Sequence, residues 1–227
     1  MNAGCDVTEI AANFPEVSYE ISGLIARLGV KRTLAHEEIL FMKNDLAEFL
    51  ALVSCGAVNS VLYGPDGREL IVYSLGPGAL VGEGALLQLG GMARRSATAV
   101  ACGKTEIHML DKRHFGALLA LDGCRDQLLR WCGWQHQQTM QLLESIGLLR
   151  LETRLARLLL RLSGDDAQCA IRLPRNQSNL AAMINGSRPK VNFLLSDWTA
   201  RGVLRKDRRS FFVADLPALR RLAVPSA

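Results

Sequence analysis

The sequence predicts an α+β chain with a β-rich N-terminal half followed by helices. Three observations predict it. From about Thr33 to Leu110, short apolar runs alternate with turn signals rich in Gly and Pro. From Arg125 to Leu149 there is no proline, and apolar residues return at helical spacing. From about Pro174 to Val213, two short helical patterns flank Asn185-Gly186 and lead into a basic, β-prone stretch.

The elements follow in order. Residues 1–20 read as irregular, and Ile21–Leu28 as a short helix. Glu48–Val53, Ala57–Tyr63, Glu69–Leu75, Ser96–Ala101 and Thr105–Leu110 read as strands. Gly64-Pro65-Asp66-Gly67 and Gly76-Pro77-Gly78 separate some of them, because Pro presets φ and Gly accepts positive φ. Short strands at this spacing predict a β-sandwich or barrel. Asp111 is placed to cap a helix to Ala120, and Leu151–Leu162 forms another after the long one. In the long helix Leu128, Cys132, Gln135, Thr139, Leu142, Ile146 and Leu149 are spaced 4-3-4-3-4-3. That spacing reads as a coiled-coil seam between two copies, or as a core helix packed on its own domain.

Composition narrows the class. The chain has 227 residues, 49% hydrophobic and 22% charged, enough to bury a core. Its formal net charge is +5, but the excess is local. Residues 161–227 hold twelve Arg/Lys against five Asp, whereas residues 1–160 hold fifteen against seventeen acids. A basic C-terminal segment suits an anionic partner. Cys5, Cys55, Cys102, Cys124, Cys132 and Cys169 form no C-x-x-C pair. His36, His108, His114 and His136 show no ligand spacing, so no metal site is expected. No signal peptide and no run of 18 apolar residues is evident, which points to a cytoplasmic protein with reduced thiols and no membrane contact. No P-loop, G-x-S-x-G, H-x-H or H-E-x-x-H occurs, so an enzyme on a cupin-like barrel is not expected.

The C-terminal segment carries the clearest chemistry. Asn176 can cap a first helix whose inner face is Leu180, Met183 and Ile184. Ser187 can cap a second, with Pro189 in its first turn and Val191, Leu194, Leu195 and Trp198 as its buried stripe. Two short helices around a Gly turn are the layout of a helix-turn-helix. Arg205-Lys206-Asp207-Arg208-Arg209 reads as a basic turn before the strand Ser210–Val213, together making a wing. Such a unit binds double-stranded DNA, with the start of its second helix nearest the base edges. Arg188 is the leading base reader, because its fork can donate twice to guanine. Lys190 and Asn192 are secondary, and Gln177, Ser178, Arg205, Arg208 and Arg209 suit phosphate.

With these residues in view, the chain resembles the Crp/Fnr family of bacterial transcription regulators from about Leu24 to Val213. Gly67–Gly78 resembles the hairpin before the family's phosphate cassette. Gly82-Glu83 with Arg95–Val100 resembles the cassette, and Ala181–Val191 the helix-turn-helix signature. The resemblance implies an N-terminal double-stranded β-roll of jelly-roll type, a long dimerisation helix and a C-terminal winged helix-turn-helix. It implies an N-terminal segment over 1–22, a β-roll effector domain over 23–122, a dimerisation helix and hinge over 123–152 and a DNA-binding domain over 153–227. It further implies a homodimer through helix 125–149, a palindromic operator and RNA polymerase as a partner.

A cyclic nucleotide such as cAMP is the effector that the cassette implies. Its ribose would meet Glu83 and its phosphate Arg95, Ser96, Gly82 and Gly84, while Thr139 matches the threonine of the dimerisation helix that contacts cAMP. The sequence departs from the cAMP binders in the longer stretch before Arg95, in Gly90-Gly91 and Arg94 within that stretch, and at Met140. Pro189 and Phe193 replace base-reading residues of the family's recognition helix, so no operator sequence carries over. A cyclic-nucleotide-sensing module, with the roll as the working part, is the alternative reading.

Overall fold

A computed structural model describes residues 14–84, 87, 93–163, 170–171, 177–207 and 210–224. The chain divides into two compact units, residues 1–62 with 72–139 and residues 63–71 with 140–227.

The first unit opens with α1 (Tyr19–Leu28). Ser18 caps it by accepting from the Ile21 amide, and Ile21, Leu24 and Ile25 face the core at i, i+3 and i+4. The strands are β1 (Val30–Leu34), β2 (Ile39–Phe41), β3 (Phe49–Tyr63), β4 (Glu69–Leu75), β5 (Leu80–Val81) and β6 (Thr98–Asp111). They pair in the order β1-β6-β3-β4, with β2 on β6 and β5 on β3. The described pairings with β6 and between β3 and β5 are antiparallel. A 3-10 turn (Lys112–His114) and α2 (Phe115–Leu119) follow, and Asp111 caps this turn by accepting from the Arg113 amide at 2.9 Å.

Here the sequence expectation of separate short strands gives way to long ones. Glu48–Val53 and Ala57–Tyr63 belong to β3, and Ser96–Ala101 and Thr105–Leu110 to β6, with small shifts at their ends. The polar breaks that read as strand ends are bulges, where the β3–β6 register shifts on either side of Cys55. Gly56 sits there with φ +79°, and a Cβ would strike the Lys104 carbonyl and the Thr105 backbone. Thr105 bridges the gap by donating to the Ala57 carbonyl at 2.9 Å.

The helix α3 (Cys124–Leu148) follows α2. Its first half buries Cys124, Leu128 and Trp131 in the core formed with Ile25, Leu50, Leu80 and Leu110. The expected coiled-coil seam begins at Leu128, but Leu128 is part of this core. The apolar face that α3 leaves exposed lies one residue later.

The second unit contains α4 (Leu151–Ser163), β7 (Ala170–Ile171), α5 (Gln177–Met183), α6 (Arg188–Ala200), β8 (Leu204–Asp207), β9 (Ser210–Val213) and α7 (Leu216–Leu222). The strands form a sheet in the order β7-β9-β8. Leu155, Leu159, Leu180, Val191, Trp198 and Leu219 are fully buried. Arg157 of α4 donates to the Ala223 carbonyl just after α7, at 3.0 Å. Arg205 and Lys206, expected in a turn, lie within β8. Asn176, Arg208 and Arg209 lie outside the described residues, as do Gly90, Gly91, Cys5 and Cys169.

Candidate effector cassette and nucleic-acid interface

Two groups of residues stand out, one in each unit. In the first, Glu83 follows β5 and is 2% exposed. Its Oε1 accepts from Trp131 Nε1 and from Gln135 Nε2, each at 2.7 Å. Trp131 and Gln135 are i and i+4 on α3, so one face of this helix supplies both donors. Oε2 is buried without a hydrogen-bond partner among the described residues. Desolvation by burial raises the Glu83 carboxyl, opposed by its backbone bond, by Trp131 and Gln135 and by the positive field of Arg95.

Arg95 is also 2% exposed. Its Nη1 donates to the Gly82 carbonyl at 2.7 Å and its Nη2 to the Phe49 carbonyl at 2.5 Å. The guanidinium carbon lies 4.1 Å from the Phe41 ring centroid and 4.7 Å from that of Phe49. Its Nε is buried without a partner among the described residues. Burial lowers the Arg95 pKa to about 10, while Glu83, Asp45 and Glu48 act to raise it. Gly82 has φ +84°, and a Cβ there would collide with the Arg95 guanidinium. Gly84 and Ser96 are exposed. Thr139 is exposed, donates to the Gln135 carbonyl at 2.8 Å and shares a hydrogen bond with the Tyr73 hydroxyl.

The structure therefore brings Gly82, Glu83 and Arg95 together, and links Thr139 to them through Gln135. Sequence reasoning missed Phe41, Phe49, Tyr73 and Trp131. The recurrence of Trp131, Gln135 and Thr139 every fourth residue was the available signal for one shared face on α3.

In the second unit, α5 and α6 are joined at Asn185-Gly186. Asn185 has φ +48°, and the Gly186 amide donates to the Ala181 carbonyl at 2.8 Å. A Cβ on Gly186 would strike Leu151 and Val191, so the glycine permits close packing at the turn. Ser187 occupies the N-cap position of α6, but its side chain makes no capping bond. Caps bond the second or third amide of a helix, and Pro189 removes one of the two. Ser187, Arg188 and Lys190 are exposed, while Asn192 is half-buried with its Oδ1 unpartnered among the described residues. Gln177 opens α5, and Ser178 beside it is half-buried. Arg205 is exposed on β8, with its guanidinium 4.9 Å from the Phe212 ring centroid.

Comparison with known proteins interprets both groups. The model of the cyclic nucleotide-binding domain matches residues 31–122, and that of the Crp-like helix-turn-helix domain matches residues 153–222. The CRP-like cAMP-activated global transcriptional regulator of Mycobacterium tuberculosis is 25% identical over 190 residues, which are 81% of this chain and 84% of that protein. The chain belongs to the Crp/Fnr family. It is a Crp-like transcription regulator with a cyclic-nucleotide-binding type of domain and a helix-turn-helix. A solved CRP-family transcriptional regulator of Thermus thermophilus is 26% identical with a TM-score of 0.67, the match covering 85% of this chain and 96% of that one. The c-di-GMP responsive regulator CLP of Xanthomonas campestris, 18% identical, shares the fold with a TM-score of 0.74 over 87% of this chain and 100% of its own. Among the described residues of this Crp/Fnr regulator, no group of three or more His, Cys, Asp or Glu could hold a metal ion. No described helix is long and apolar enough to cross a membrane.

The buried carboxylate gives a pH-dependent expectation. Burial raises Glu83 above its ordinary value near 4.5, so the folded chain holds this proton more tightly than the unfolded chain. The advantage to the folded state is full below that value and is lost as pH rises through the raised one. Glu83→Gln keeps an acceptor for Trp131 or Gln135 without a charge. Its thermal midpoint relative to the parent should rise as pH increases above the ordinary value of 4.5, by roughly 2–4 °C for each kcal/mol of charge burial relieved. A difference that is flat or falls over that range would contradict the assignment.

Proposed function

We propose that this regulator acts as a homodimer on a two-half-site operator and answers to a small anionic effector of cyclic-nucleotide type. The observation that carries the DNA-binding part is the start of α6. Ser187, Arg188 and Lys190 are exposed there, flanking a stripe of Val191, Leu195 and Trp198 that anchors the helix in its own core. In this reading α6 enters the major groove and Arg188 donates to guanine O6 and N7, with Lys190 and Asn192 beside it. Gln177, Ser178, Arg205, Arg208 and Arg209 serve phosphates, which fix register without reading sequence.

Support for the dimer comes from the outward face of α3. Leu129 is 71% exposed, Met140 49% and Leu143 61%. With Gly133, His136 and Gly147, all exposed, they recur at 4-3-4-3-4 spacing, the period of a two-helix seam. Two copies joined there would meet half-sites about 34–36 Å apart.

Support for the effector comes from two buried atoms without a partner among the described residues, Glu83 Oε2 and Arg95 Nε. Unpartnered buried polar atoms are costly, and a ligand hydroxyl and an anionic oxygen would satisfy these two. A cyclic nucleotide supplies both. Gly84 and Ser96 would add donors to the phosphate, Gly82 would let the backbone approach it, and Thr139 would face the base. A specific observation also favours a second reading. Both terminal nitrogens of Arg95 already meet carbonyls, which suits an arginine that holds the cassette closed by itself.

Three measurements test the proposal. By fluorescence anisotropy with duplex DNA, Arg205→Ala should weaken all sequences alike and lower the salt slope by about one. Arg188→Ala should abolish discrimination at one guanine, worth about 1–3 kcal/mol. Absent binding at low salt, or binding indifferent to salt, would overturn the reading. In sedimentation, Leu143→Glu should convert a dimer into a monomer, and a monomeric parent at micromolar concentration would refute the seam. Titration calorimetry with cAMP and cGMP should show heat for the parent and a marked loss for Ser96→Ala, an exposed position that leaves the core intact. No heat for either nucleotide would leave the closed-cassette reading standing.

A further inference from the structure

The outward face of α6 carries a feature that the cationic residues do not account for. Its buried stripe is Val191, Leu195 and Trp198. At about 100° per residue, Pro189, Phe193, Ser196 and Ala200 centre on the opposite face. All four are exposed. Phe193 is 71% exposed, so packing does not explain a phenyl ring at this position. Pro189 and Phe193 are i and i+4, and together they make an apolar strip between Arg188 and Lys190. Neither side chain can donate or accept a hydrogen bond.

The second helix of a helix-turn-helix places its outward face in the major groove. An apolar strip there meets base edges, and only one of the four bases offers an apolar group. Thymine presents its C5-methyl in the major groove, whereas cytosine and adenine present amino groups and guanine presents acceptors. A phenyl ring set against an amino group or an acceptor leaves it desolvated and unpaired. Set against the methyl, it removes apolar surface from water on both sides.

We infer that Phe193 is a specificity-determining residue that selects thymine through its C5-methyl group, with Pro189 extending the contact. This rests on the DNA-binding reading above and adds a reading mode that uses no hydrogen bond. Arg188 selects a base by what it donates, and Phe193 selects one by what it excludes.

The test removes the methyl and nothing else. The purified full chain is used, with and without cAMP, to select duplexes from a random-sequence library. Each thymine of the selected site is then replaced in turn by deoxyuridine. Parent protein should lose about fourfold in affinity per half-site at one thymine, the worth of one buried methyl. Phe193→Ala should bind the thymine and uracil duplexes equally at that position, with an unchanged salt slope. Because Phe193 is exposed, this variant should keep the parent's thermal midpoint, which checks that it is folded. Replacing the same thymine by 5-methylcytosine should retain more affinity than replacing it by cytosine. The inference is overturned if no thymine responds to methyl removal, or if Phe193→Ala still shows the loss at the same thymine. It is overturned as well if Phe193→Ala weakens every duplex alike and leaves the uracil effect in place. That outcome would assign the ring to the open apolar depression of about 440 Å³ that it lines with Leu151, Pro189 and Leu194, as a protein contact. Failure to bind any duplex would instead remove the DNA-binding reading itself.

Discussion

A carboxylate taken out of water needs several kcal/mol of replacement interactions, and at Glu83 these come largely from another element. Trp131 and Gln135 both reach its Oε1, and both belong to α3. Because they are i and i+4, the helix can satisfy the carboxylate in one rotation about its axis only. That rotation turns Trp131 into the core and Thr139 toward Tyr73. It also leaves Leu129, in the same half of the helix, exposed. The aromatic cluster around it, with the Trp131–Trp134 ring centroids 5.5 Å apart and Phe14–Trp131 5.7 Å apart, reinforces the same setting. The facing of the first half of α3 is therefore decided at Glu83, inside the first unit.

The second unit depends on a comparable constraint at its turn. Gly186 lets Leu151 and Val191 close over the Asn185-Gly186 backbone, which fixes where α6 begins relative to α4 and α5. Trp198 then anchors the far end of α6 as a fully buried side chain. Between these two points the helix presents its outward residues on a rigid support. Preorganised side chains of this kind lose less freedom on meeting a partner.

Much of this was legible in the sequence where local chemistry decides structure. The Gly-Pro turns, the Asp111 cap, the long helix and the two short helices around Asn185-Gly186 all follow from neighbours in the chain. The rest depends on distant partners. Nothing near Ser54-Cys55-Gly56 says that the strand continues, because the bulge is stabilised by Thr105 from across the sheet. Leu128, expected at the start of a seam, faces the core for the same reason. Leu128 and Leu129 are both leucines, and only the core around Trp131 determines which one faces inward. The cassette residues Glu83 and Arg95 were visible through family resemblance. Their carbonyl and aromatic surroundings, from Phe41 and Phe49, came only with the fold. Ser187 shows the opposite failure, since a sound local rule named a cap that Pro189 then partly disables.

The long β3–β6 ladder has a kinetic consequence. It pairs Phe49 with Asp111 and Val61 with Thr98, residues far apart along the chain. The closure entropy of that intervening chain must be met before any of its cross-strand bonds can form. The α5–α6 pair, by contrast, joins segments separated only by a short turn. Contact order therefore orders the two units in time, with the helical part of the second unit forming early and the sheet that carries the cassette forming late. During synthesis from the N-terminus, β3 emerges well before its partner β6. Its buried-to-be residues Leu50, Val53 and Val58 stay exposed until that strand arrives, which makes this interval the one most open to misassembly.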